Sequence, residues 1–476
     1  MFSKSSFKKN LLVFSLFFIG CLLYIQCLDY SFVWDDHFLI RENSQMNNIS
    51  SIKEFFTQDL WENSTHNYKS GFYRPVTLTA FLLNYQIWQG SPAGFHFLNI
   101  FLHSINGVLL FLIFFKLTKN NFISFLAGLL FLVHPLQTET VAFIADLGDI
   151  LVVLFILLSL SGYINFVLNG RKKKYYGWSL VFLLFALLSK ENAMAGFLLI
   201  ILVDFCFFSN MSVKQIAKKA RDFIPYVLLT LAYIGWRVII LGKLNAVTTL
   251  ENVRYVSILP AFDFGSHLMT TARILTMYLT MFFYPVEQSI TYIVLPVTQL
   301  LTYEAFGEVL LIISLLGLTA TALIIKRHWL FFALFWFWAT LLPLSNLIPI
   351  SNTIAERFMY LPNIGLCFLL AYILNYIKER KLVKHYQKIL FVTAVSFFVL
   401  ALSVKTFERS MVWENDYFLF SSDLDAKPCS PIAHANLNVY YNLTHQPQKS
   451  LLEYAQYQSC QKFIQQQYRR LKKSSL

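Results

Sequence analysis

The chain has 476 residues, of which 57% are hydrophobic and 14% charged, with 48 phenylalanines and a mean hydropathy of +0.54. That balance excludes an ordinary soluble domain and predicts many membrane spans. The net charge of +13 does not argue for nucleic acid. The bases gather in short groups between apolar runs: Arg171 to Lys174, Lys214 to Arg221, Lys326-Arg327, and Lys378 to Lys388. This is the positive-inside pattern of a multi-pass membrane protein.

In chain order, a basic start (Lys4, Lys8, Lys9) precedes the apolar run 11–27. Phe18-Ile19-Gly20-Cys21 faintly resembles a lipoprotein cleavage site, but the apolar run continues past it, so an uncleaved first span is expected. Further spans are predicted at 97–115, 122–136, 150–169, 175–189, 193–210, 223–241, 306–325, 329–344, 363–377 and 389–404, each near the roughly 20 residues that cross hydrocarbon. Segment 267–284 is ambiguous. If it spans, Lys326-Arg327 falls on the outer side; if it lies in the interface or re-enters, every major basic group is cytoplasmic. The second arrangement gives about eleven spans, an inner amino terminus and an outer tail.

This topology puts 28–96, 137–149, 189–192, 242–305 and 345–362 outside. Loop 28–96 is too long for a connector, and its apolar patches (Phe55-Phe56, Leu60-Trp61, Phe81 to Tyr85) suit interfacial helices. Asn48-Ile49-Ser50 and Asn63-Ser64-Thr65 are acceptor triplets for N-glycans if that face is lumenal. After 404 the composition turns polar. The tail carries His434 to Tyr441, then Ala455 and Phe463, a spacing that suggests one degenerate tetratricopeptide-like hairpin. Cys429 and Cys460 are able to pair if the tail is outside the cytosol; Cys21, Cys27, Cys206 and Cys367 read as small hydrophobes.

Ionisable groups recur at the predicted outer rim. The acidic pair Asp35-Asp36 follows the first span. Arg74 precedes Pro75. His134 and Glu139 flank a Pro-Leu-Gln-Thr stretch, with Asp146 and Asp149 following. Lys190-Glu191 joins two short spans, and Glu356-Arg357 precedes another. Charges at a hydrocarbon boundary are functional candidates. Carboxylates accept a proton from an incoming nucleophile, and arginine holds a phosphate through two parallel bonds. Each group also has a structural reading: Arg74 caps a turn, His134-Pro135 stops a helix, Lys190-Glu191 and Glu356-Arg357 are local ion pairs. His103 and Asn106 are expected to bond across helices. No spacing suits a metal, and neither a phosphate-binding glycine loop nor a G-x-S-x-G elbow is present.

These stretches, in this order, resemble a family. Phe32-Val33-Trp34-Asp35-Asp36, Phe72-Tyr73-Arg74-Pro75, His134 to Ala142, Leu188-Ser189-Lys190-Glu191, Ala355 to Gly365, and Thr406 to Arg409 with Trp413 are similar to motifs of the transmembrane O-mannosyltransferases that carry tetratricopeptide repeats, and of their bacterial relatives. The resemblance implies an all-α, polytopic helix bundle of GT-C type over 1–404, with a short helical tail over 405–476. It implies inverting transfer of a mannose-like sugar from a polyprenyl- or dolichyl-phosphate carrier to a hydroxyl on the non-cytosolic face. The acceptor would be a protein Ser/Thr, a lipid or a glycan. The lipid-linked sugar is then a donor substrate, and no cofactor is implied. The base role maps to Asp35 or Asp36, with Asp35 favoured. Arg74, Lys190 and Arg357 are the phosphate candidates; Asp149 matches an acidic position of the second outer loop. Two departures stand out: Leu147 occupies a position where the family usually has arginine, and the repeat array shrinks to one poor repeat.

Two other classes compete. A transporter or flippase would place ionisable residues near the bilayer midplane and repeat one half of the fold; here they cluster at one face and no repeat is evident. A catalytically inactive scaffold acting through its tail is opposed by the retained Asp35-Asp36. Composition favours a bacterial inner membrane, with the endoplasmic reticulum as the alternative.

Overall fold

The computed structural model describes residues 4–62, 69–242, 263–299, 302–347, 350, 352–381 and 384–474. The triplet at Asn63 and most of the first half of segment 242–305 lie outside the described residues. Among those described, the fold is helical throughout, with no strand.

The α-helices follow in order. They are α1 (Lys4–Leu23), α2 (Ile52–Phe55), α3 (Pro75–Trp88), α4 (Pro92–Thr118), α5 (Asn121–Val133), α6 (Thr138–Ala142), α7 (Leu147–Leu168), α8 (Lys173–Ser189), α9 (Gly196–Phe207) and α10 (Val213–Lys218). Then come α11 (Ala220–Leu241), α12 (Phe264–Phe283), α13 (Tyr303–Ile324), α14 (His328–Leu341), α15 (Asn363–Lys381), α16 (His385–Met411), α17 (Asp416–Ala426), α18 (Pro431–Leu443) and α19 (Pro447–Ser474). Every one of the eleven predicted spans coincides with one of these helices. Among the described residues five helices are long and apolar enough to cross a membrane: Pro92–Thr118, Ile144–Leu168, Ala220–Leu241, Tyr303–Ile324 and His385–Met411. A sixth is added if the bent pair Asn121–Val133 and Pro135–Ala142 is one span. Helices α8, α9 and α14 are shorter than a straight crossing requires.

Local chemistry sets the boundaries. Proline starts α3 and α4 at positions where its missing N–H costs nothing. The Asn120 side chain accepts from the N–H groups of Phe122 and Ile123 and caps α5. Helices α4 and α5 approach closely at Gly107, where an added Cβ would meet the Leu132 side chain at 2.5 Å. The polar residues inside α4 do bond across helices. His103 meets the Tyr360 hydroxyl at 2.9 Å, and Asn106 donates to the Ile150 carbonyl at 3.1 Å. By contrast α11, α13 and α16 turn apolar side chains outward, with Ile239 73%, Ile324 78% and Phe397 71% exposed. Such a surface suits lipid, not water.

The bundle has two chemically different ends. At one, the basic groups meet. Lys9 lies over Phe115, next to Lys116; Arg171 pairs with Asp222 at 2.5 Å; Lys378 lies over Phe122 at 4.4 Å. The other end gathers the loops read as outer. The tail docks there: Ser31 N–H donates to the Glu414 carbonyl at 2.9 Å, and Asp423 accepts from the Ile290 N–H at 3.0 Å. Helices α18 and α19 form a hairpin, joined by a Cys429–Cys460 disulfide and by Asn438 donating to the Ser450 carbonyl at 2.7 Å. The stretch read as a degenerate repeat falls on this hairpin.

Candidate functional site

The acidic pair divides its labour. Asp36 is fully buried, and its two oxygens accept the Val33 N–H at 3.1 Å and the Ala145 N–H at 2.7 Å. It straps the segment after α1 to the segment before α7. Burial pushes its carboxyl well above the usual range, against the pull of those two N–H groups. Asp35 is half-buried, and among the described residues its carboxylate accepts no hydrogen bond. Burial pushes it up to about 6; Arg357 and Arg74 oppose that rise, and Asp146 adds to it. A carboxylate poised near neutrality with no fixed partner is what a general base requires.

The backbone around Asp35 is held tightly. Trp34 adopts a left-handed φ of 52°, unusual for a bulky side chain. Its N–H donates to Asp416 Oδ1 at 2.9 Å, and its ring stacks on Phe143 at 5.5 Å. Asp416 Oδ2 also meets His37 Nε2 at 2.7 Å. The carboxy-terminal tail therefore helps to fix the conformation of the candidate base.

Arg74 reaches the site from the foot of α3. Asp59 accepts the N–H groups of Ser70 and Gly71, and Leu60 N–H donates to the Phe72 carbonyl at 2.8 Å, which shapes the preceding turn. The Arg74 guanidinium lies over the Phe72 ring and grips Glu191 with two bonds, 3.0 Å from Nε and 2.6 Å from Nη2. Burial alone would raise the Glu191 carboxyl, but Arg74 and then Lys190 win and hold it at about 2.

Lys190 extends from the end of α8 and pairs with Asp149, 3.9 Å from Asp146. Asn192 donates to the other Asp149 oxygen at 2.8 Å. Arg357 pairs with Glu139 through Nη1 and through its own N–H at 3.0 Å, and its Nε lies 3.6 Å from Asp146. Asp146 thus stands between Lys190 and Arg357. The structure brings together Asp35, Arg74, Glu139, Asp146, Asp149, Lys190, Glu191 and Arg357. The ion pairs are not all local: Arg74 and Glu191 are 117 residues apart, and Arg357 and Glu139 are 218 apart.

His134 and Glu356 lie behind this group. His134 accepts the Leu136 N–H on Nδ1 and donates from Nε2 to the Phe282 carbonyl at 3.0 Å, stacked on that ring. It sits at a 56° bend between two helical segments, as a helix stop would. Glu356 is fully buried and accepts from Gln288, the Ser289 N–H and the Tyr292 hydroxyl, with Arg409 at 3.6 Å. Three residues absent from the predicted site belong to its surroundings. Asp146 was visible as an acidic neighbour of Asp149, and Arg409 as part of the Thr406 to Arg409 stretch. Asp416 gave no signal, because its partner lies 382 positions away. Among the described residues no group of three or more His, Cys, Asp or Glu is arranged to hold a metal ion.

No family model matches the sequence. Over most of its length the chain is similar to proteins named protein O-mannosyl-transferase. One from Caenorhabditis elegans is 27% identical over 459 residues, 90% of this chain and 59% of that relative. Human TMTC4 is 27% identical over 478 residues, 88% of this chain and 62% of TMTC4. Human TMTC3 is 27% identical over 446 residues, 85% of this chain and 47% of TMTC3. The resemblance read from the motifs is the one these relatives carry by name, and the chain spans about half to three fifths of their length.

Proposed function

We propose that this chain is a membrane mannosyltransferase whose donor is a sugar on a polyprenyl or dolichyl phosphate and whose acceptor is a protein hydroxyl. The observation that carries this reading is the unbonded Asp35 carboxylate set in the fields of Arg357 and Arg74. An acceptor hydroxyl attacks the anomeric carbon, and the bond from that carbon to the phosphate oxygen breaks. Asp35 takes the hydroxyl proton, and the lipid phosphate leaves with the bond's electron pair. The departing charge needs cations. Arg74 and Arg357 each keep an N–H nitrogen, Nη1 and Nη2 respectively, that takes no partner among the described residues. Attack opposite the leaving group makes the transfer inverting.

The site end faces the non-cytosolic side. Two observations support that orientation: the basic groups collect at the opposite end, and the docked tail carries a disulfide, which persists in an oxidising lumen or periplasm. The eleven crossings belong to the same reading, with the short helices tilted or locally thinning the bilayer.

The test is transfer in proteoliposomes containing purified protein, polyprenyl-phosphate mannose and a Ser/Thr peptide. Wild type is expected to mannosylate the peptide, and Asp35→Asn to lose that activity with an unchanged melting temperature. Undiminished transfer by Asp35→Asn would remove the base. Transbilayer movement of the donor without any transfer would favour a flippase.

A further inference from the structure

The bundle's other end holds a cavity that the proposed transfer does not use. It has a volume of about 400 Å³ and is lined by residues including Lys116, Asn210, Met211, Lys326, His328 and Trp329. It opens where α4 and α9 end and α14 begins. Helix α4 runs 27 residues from the site end to this end, roughly 40 Å, so the cavity lies about one bilayer away from Asp35.

We infer that this cavity binds the phosphate-bearing headgroup of an anionic membrane lipid in the leaflet opposite the proposed transfer site.

Charge is the first argument. Lys116 and Lys326 line the cavity, and Lys9 and Lys119 add their fields to Lys116. Among the described residues none of these four lysines makes an ion pair, and no acidic side chain lines the cavity. Carboxylates of the same helix ends pair with other cations: Asp204 with Lys219, Asp222 with Arg171, and Glu379 with Lys378. Lys116 donates to Asn165 Oδ1 at 2.9 Å, which orients its ammonium and leaves its other protons unused. The site end shows the opposite, with Arg74, Lys190 and Arg357 all ion-paired.

Backbone conformation is the second and independent argument. Nine non-glycine residues have positive φ among those described, and three of them line this cavity: Asn210 (48°), Met211 (52°) and Lys326 (54°). A fourth, Lys119 (55°), is two residues past the cavity wall. A helix-ending left-handed position normally takes glycine. Here the chain holds asparagine, methionine and lysine there instead, and such outliers collect at ligand clamps. Basic recesses between helices at a cytoplasmic surface are the form that phospholipid headgroup recognition takes. The wall also presents Trp329 and Phe207, 4.7 Å apart, as an apolar floor for the first part of an acyl chain.

The test uses full-length protein in detergent, titrated with phosphatidylglycerol or phosphatidylcholine and read by native mass spectrometry. Wild type is expected to retain phosphatidylglycerol over phosphatidylcholine by at least about fivefold. The pair Lys116→Gln and Lys326→Asn should abolish that preference, asparagine being chosen because it accepts the left-handed backbone. Lys172→Gln with Lys173→Gln, outside the cavity, should keep it. Excess inorganic phosphate should fail to displace the lipid; equal competition would make free phosphate the ligand and overturn the lipid assignment. Retention of the preference by the cavity variants, or its loss in the loop control, would also overturn it. If the double variant does not fold, the exposed Lys326→Asn alone carries the comparison, with a reduced preference expected and an unchanged one fatal.

Discussion

The two ends of the bundle carry similar kinds of cation and use them differently. At the site end Arg74, Lys190 and Arg357 are largely buried, each locked to a carboxylate from a distant stretch of chain. At the basic end Arg171 pairs with Asp222 while half exposed, and among the described residues Lys116 and Lys326 make no ion pair. What a charge does here is decided by what surrounds it. Buried pairs fix loop geometry, and cations without a carboxylate partner stay available to a ligand.

The sharpest way to break that contrast is at Asp35. Asp35→Asn should reduce transfer by about 10²- to 10⁴-fold, the usual contribution of a positioned base, with no loss of melting temperature. Next in size is Arg357→Gln, which leaves Glu139 buried without its cation. A loss of about 3–5 kcal/mol is expected, measured by chemical denaturation in micelles. An equally costly Arg171→Gln would erase the distinction between the ends. That exposed pair should instead contribute about 0–1 kcal/mol.

Smaller effects separate the members of the acidic segment. Asp36→Ala removes the acceptor of two backbone N–H groups and should destabilise by about 1–3 kcal/mol. Asp416→Ala frees the Trp34 N–H and His37; a loss of about tenfold in kcat/KM is expected, with a smaller stability cost. Unaltered kinetics there would show that the tail does not position the base. The mildest test is pH. The base must be deprotonated, so kcat/KM should fall by about tenfold per unit below pH 6 and level off above it, following the value of about 6 for Asp35. Glu191, held at about 2, sets a separate window: its pairing with Arg74 stabilises the fold above its unfolded value near 4.5, and that stabilisation is lost as pH falls towards 2.

By itself the sequence determined that this is a helical membrane protein, where its apolar helices lie, and which end collects its bases. Those properties follow from short-range hydrophobic runs and charge placement, which do not depend on distant partners. It also marked nearly all the ionisable residues that meet at the site. Only the tertiary structure decided their pairing. Asp35 and Asp36 are neighbours of one chemical type, and the Val33 and Ala145 N–H groups make a strap of one, while the other is unbonded among the described residues. His134 and Glu356 looked equivalent to Glu139 and Arg357 in the chain, yet contacts with Phe282, Gln288 and Tyr292 enclose them. The docking of Asp416 on Trp34 was likewise hidden, because burial and long-range hydrogen bonds arise only when segments far apart in sequence pack against one another.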